Sequence, residues 1–190
     1  MPTATRREML VAAITASAAS TMVAGSVSAS PAAATGARGF DFLHGRWVVR
    51  HRKLNEGLVG SMDWTEFPGT LEVRPFLGGL GNIDQNALED PSGSFLATSI
   101  RVFTPSTQQW SIHWVDGRRT GLDKPAVGVF EGKVGRFYND DFLEGRPIRV
   151  RFTYEDVAIG RARWDQALST DGGRSWETNW TMDFVREVAR

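Results

Sequence analysis

The side chains able to carry acid–base, metal or nucleophilic chemistry are few. The histidines are His44, His51 and His113, and none has a second histidine at metal-ligand spacing or lies in an H-E-x-x-H helix pattern. The chain has no cysteine, which removes disulfides, thiolate metal sites and a cysteine nucleophile together. No G-x-S-x-G elbow, P-loop or dinucleotide-binding glycine pattern occurs. Gly78-Gly79-Leu80-Gly81 is glycine-rich, but it joins two strand-like runs and leads to no helix N-terminus that would cradle phosphate. The sequence therefore names no metal and no cofactor. One pair remains: His51 shares a strand face with Trp47 and Val49, and Glu66 shares one with Met62 and Trp64. If the two strands are neighbours, the pair reads either as wall residues bonded to each other or as the acid and base of an isomerase or hydrolase.

The elements that would position these groups are strands. From about Gly39 onward, apolar and polar residues alternate at period two, with turn residues at short intervals. Trp110-x-Ile112-x-Trp114, Ile148-x-Val150-x-Phe152-x-Tyr154 and Trp176-x-Thr178-x-Trp180-x-Met182-x-Phe184 show it most clearly. The pattern predicts strands near residues 47–54, 62–67, 70–76, 81–88, 95–103, 109–116, 126–131, 133–138, 148–155, 161–169 and 176–186. Pro68-Gly69 reads as a turn between the second and third of these. Only Phe40 to Gly45 looks like a short helix or turn. An all-β, antiparallel up-and-down barrel of about eight to eleven strands buries one face of so many strands without open edges. A two-sheet sandwich is the rival.

Gly45-x-Trp47 at the head of the first strand resembles the lipocalin G-x-W motif, whose Trp plugs one end of the barrel. The resemblance implies an arginine from the last strand over that Trp, and Arg186 fits this role as a cation–π partner. The chain as a whole resembles a bacterial family of lipocalin-like (calycin-type) β-barrel proteins. The likeness runs through Phe40-Asp41-Phe42-Leu43-x-Gly45-x-Trp47, Trp64-x-Glu66-Phe67-x-Gly69-Thr70, Gly81-Asn82-Ile83-Asp84, Trp114-x-Asp116-Gly117-Arg118 and the run from Asp171 to Phe184. It implies a fold and brings no catalytic residues with it. Ser169-x-Asp171-x-Gly173-x-x-Trp176 also resembles the Asp-box of sialidases, a structural hairpin turn even there.

Placing the large apolar residues inward nominates the polar and aromatic side chains that would line a cavity. They are Trp47, His51, Trp64, Glu66, Gln85, Thr98, Trp114, Tyr154, Gln166, Thr178 and Trp180. The ligand expected among them is a small apolar or amphipathic molecule, against the alternative that these groups satisfy one another in a filled core.

Residues 1–35 differ sharply in composition from the rest. Arg6 and Arg7 precede an uncharged run of mostly Ala, Ser, Thr, Val and Met that ends in alanine-rich cleavage choices. This is the form of an export signal, and Thr5-Arg6-Arg7-Glu8-Met9-Leu10 resembles the twin-arginine type. The expectation is a cleaved leader, a mature domain over residues 36–190, a periplasmic or secreted location, and no stable membrane span after processing. With 22 basic and 22 acidic residues the net charge is zero, so no overall field draws the molecule to nucleic acid.

Overall fold

The computed structural model describes residues 36–119 and 121–187, so the leader expected over residues 1–35 lies outside the described residues. The domain is a closed antiparallel barrel of ten strands. These are β1 (Gly45–Leu54), β2 (Trp64–Phe76), β3 (Gly81–Leu88), β4 (Phe95–Thr104), β5 (Gln109–Asp116), β6 (Ala126–Glu131), β7 (Val134–Leu143), β8 (Arg146–Ala158), β9 (Arg161–Ser169) and β10 (Glu177–Arg186). Each pairs with the next in the chain, and β1 closes the ring on β10 from Trp47↔Arg186 to Lys53↔Trp180. Closure satisfies the backbone groups that a sandwich would leave on its edges.

One end of the barrel is plugged. The chain enters through a single turn of 3-10 helix, Asp41–Leu43, and Phe40, Leu43 and Trp47 are almost fully buried. Trp47 donates its indole N–H to the Leu43 carbonyl at 2.7 Å. The Arg186 guanidinium lies 4.2 Å from the Trp47 ring centroid and donates to the His44 and Phe42 carbonyls at 2.7 and 2.9 Å. It thereby satisfies the C-terminal carbonyls of the entry turn while covering the plug. Gly45 completes the motif physically. Its φ of +106° is one that side chains avoid, and a Cβ there would sit 2.7 Å from Arg186 Nη1.

The expected turn at Pro68-Gly69 is not a turn. β2 runs straight through it, so ten strands form where the punctuation predicted eleven. Pro68 faces outward opposite Arg50, where its missing N–H is tolerated, and Gly69 is extended opposite Val49 and Leu88. A Cβ on Gly69 would lie 2.6 Å from His51 Nε2 and 2.6 Å from the Ala87 carbonyl. Glycine stands here because the imidazole occupies the space, not because the chain bends. The Asp171 turn behaves as expected: its carboxylate accepts the Arg174 and Ser175 backbone N–H groups, each at 2.9 Å, and Trp176 donates to the Gly173 carbonyl at 3.0 Å.

Replacing Gly69 with alanine should therefore lower unfolding free energy by about 1–3 kcal/mol, the usual cost of overpacking. Urea denaturation checks this, and an unchanged midpoint would mean that the backbone at Gly69 yields freely.

Candidate functional site

Above the plug the interior is hollow, with a cavity of about 590 Å³. Its floor is polar. Asp84 and Asn86 on β3, Ser99 and Arg101 on β4 and Tyr154 on β8 all reach it, and each is at least nine-tenths buried. Arg101 Nη1 lies 2.7 Å from Asp84 Oδ2, an ion pair rather than an aligned hydrogen bond. The same nitrogen donates to Asn82 Oδ1 at 3.0 Å, and Nη2 donates to the Tyr154 hydroxyl oxygen at 3.2 Å. The other Asp84 oxygen accepts the Ser99 backbone N–H at 2.7 Å, where the β3–β4 ladder itself is interrupted between Ile83 and Asn86. A buried ion pair recovers its desolvation cost only through such added bonds. Burial pushes the Tyr154 hydroxyl pKa up, which keeps that group protonated.

The walls are aromatic. Trp180 on β10 meets Trp164 on β9 edge-to-face at 5.8 Å and Trp114 on β5 at 6.1 Å, and Phe152 on β8 flanks Trp164 at 5.4 Å. Met182 and Phe184 continue this surface toward the plug. The mouth is charged: Arg118 holds Asp116 with two bonds, at 3.0 and 2.8 Å, and Arg119 bonds Asp123 at 3.2 Å. The Arg118 hydrogen bonds lower the Asp116 pKa to about 2, so this clamp stays ionised at any ordinary pH. The wall is lowest between β5 and β7, because β6 pairs with β5 only from Trp110 to Ile112, well short of the Asp116 end of β5.

Of the nominated residues, Trp114, Tyr154, Gln166 and Trp180 line this cavity. Trp47 faces inward but belongs to the plug. His51 is fully buried behind the wall, its ring stacked on Phe67 at 4.9 Å, with Nδ1 accepting the Trp180 indole N–H at 3.3 Å. Four residues expected inside lie on the outer face. Glu66 binds Arg50 and Arg52 there, at 3.1 and 3.6 Å, and the Arg52 guanidinium covers Trp64 at 4.4 Å. Gln85 is exposed beside Ile83, and Thr98 lies between the inward Ala97 and Ser99. His51 and Glu66 thus occupy opposite faces, and the acid–base pair is not assembled. Thr178 is displaced by a bulge at which Asn179 takes the inward position and accepts a hydrogen bond from Gln166 at 3.2 Å.

The reason for the inversions is the polar floor. On β3 the inward row is Asn82, Asp84, Asn86 and Leu88, and on β4 it is Ala97, Ser99, Arg101 and Phe103, so Ile83 and Ile100 point out. Placing apolar residues inward selects the wrong face of both strands. The β2–β3 register carries the missing signal: Leu71 and Val73 face in, and they pair with Asn86 and Asp84.

Among the described residues no cluster of His, Cys, Asp and Glu is arranged to hold a metal ion, and no helix is long and apolar enough to cross a membrane. The chain matches no protein-family model and no curated protein by sequence.

Burial lowers the His51 pKa from 6.5 to about 4, with Asp90 opposing the shift. The folded state therefore favours neutral imidazole, and the stability this contributes is fully present above pH 6.5. It declines as pH falls from 6.5 toward 4, by roughly 3 kcal/mol at about 1.4 kcal/mol per pKa unit. Unfolding measured across that window should show the decline, and His51→Gln should flatten it. An equal slope in both proteins would assign the titration elsewhere.

Proposed function

We propose that this protein binds a small amphipathic molecule inside the barrel, without transforming it. The observation that carries the reading is a hollow, open interior of about 590 Å³, within the size range of small-molecule pockets, where side chains do not fill the space. Its chemistry is graded from charged mouth through aromatic walls to a polar floor, a sequence that orients a molecule with an apolar body and a polar end. A buried polar atom without a hydrogen-bond partner among the described residues, Asn86 Oδ1, lies in a floor residue. Groups of this kind are costly unless something satisfies them. The acid–base pair nominated from sequence, His51 and Glu66, lies on opposite faces of the barrel wall, so binding rather than turnover is the reading.

The protein acts outside the cytoplasm in this account, in the periplasm or as a secreted binder. The support is the Arg6-Arg7 start and uncharged run of the first 35 residues. A twin-arginine route would export the barrel already folded, with any ligand seated.

The test is native mass spectrometry of the protein purified from its own host. A discrete added mass that disappears on denaturation is expected. Ser99→Leu, which places a larger apolar group on the floor while keeping the backbone N–H bonded to Asp84, should fold and lose most of that added mass. Reproducibly empty unaltered protein would count against the proposal.

A further inference from the structure

The geometry points to an uncharged ligand, one that presents a carbonyl or hydroxyl oxygen to the cavity floor and an aromatic or similarly flat apolar body to the tryptophan wall. This rests on the binding reading above and names its chemical class. A buried arginine at the base of a barrel would ordinarily select a carboxylate. Here the positive charge is already matched: Asp84 stands 2.7 Å from Arg101, and among the described residues it is the only other charged side chain at the cavity floor. Arg101 Nη1 is shared between Asn82 and Asp84, and Nη2 donates one of its protons to Tyr154. Its Nε has no partner among the described residues, and its guanidinium carbon lies 5.3 Å from the Phe40 ring centroid on the plug side. An entering carboxylate would meet the Asp84 carboxylate without a free cation to offset it, and an ammonium would meet Arg101. Either charge would be desolvated without compensation.

What the floor still offers is neutral. The Tyr154 oxygen accepts from Arg101, which leaves its own proton available to donate. Ser99 contributes a hydroxyl and Asn86 an amide, both on the cavity lining. These are partners for an uncharged oxygen acceptor. Above them, Trp164 and Trp114 each stand edge-to-face to Trp180. Such an angled set offers ring faces and edges to a flat apolar body. Two lining cations have no carboxylate partner among the described residues: Lys53, 5.3 Å above the Trp180 ring, and Lys124, which donates to the Asp140 carbonyl at 2.9 Å; neither contacts the floor residues.

The experiment titrates three probes that share a naphthalene body, namely acetylnaphthalene, naphthoate and naphthylmethylammonium, against the intact domain, read by tryptophan fluorescence and calorimetry. Acetylnaphthalene is expected to bind at least about tenfold more tightly than either ion, a difference of about 1.4 kcal/mol. Asp84→Asn removes the matching charge and keeps the shape, so naphthoate should gain about tenfold and close most of its gap to the ketone. If Asp84→Asn does not fold, the ranking in the unaltered protein still decides. Naphthoate or the ammonium binding as tightly as the ketone there would overturn the inference and leave the binding proposal standing. If none of the three binds, both fail.

Discussion

Ten strands closed into a ring set the problem that the rest of this molecule solves. An eight-stranded barrel is about wide enough for its own side chains to fill, and a larger ring encloses space. Two strands beyond that limit leave an interior that the inward rows of β1 to β10 do not occupy. One end is therefore stoppered by an entry segment, Phe40 to Trp47, and locked by Arg186 from the strand that closes the ring. The other end stays open because its loops carry charge pairs, such as Arg118 with Asp116, rather than a second apolar plug.

The Arg101–Asp84 pair ties the stopper to the hollow. Arg101 lies against Phe40 of the plug on one side and contributes to the cavity floor on the other. Asp84 takes a backbone N–H from β4 in place of a ladder bond, which holds two neighbouring strands together where their pairing is broken. A buried ion pair is weak evidence for stability by itself. In this barrel it has a second consequence, since it places two opposite charges at one depth of the interior and leaves that depth electrically balanced.

Much of the architecture was legible from residue order. Period-two patterning marked every strand segment, and the resemblance carried by Gly45-x-Trp47 implied the plug and its Arg186 cover. Both depend on local chemistry: side-chain alternation, a positive φ at Gly45 and a cation over an indole. Pro68-Gly69 misled because the same dipeptide serves a turn or a tight packing contact, and only the position of His51 across the ladder distinguishes them. Trp114, Tyr154, Gln166 and Trp180 were found because their strands follow the apolar-inward rule. Asp84, Asn86, Ser99 and Arg101 were missed because β3 and β4 break it. Which face of such a strand points inward is set by pairing with β2, a relation between distant residues. Asn179 was hidden by a bulge, which leaves no mark in alternation until the partner strand is known.

A ring that stays hollow above a charge-balanced floor should be visible in a crystal structure of the protein purified from its own host. Density for a small molecule is expected between Trp180 and Tyr154, with Arg101 still paired to Asp84 beneath it. An interior closed by Phe152, Trp164 and Trp180 packed against the floor, or Arg101 turned away from Asp84, would contradict it.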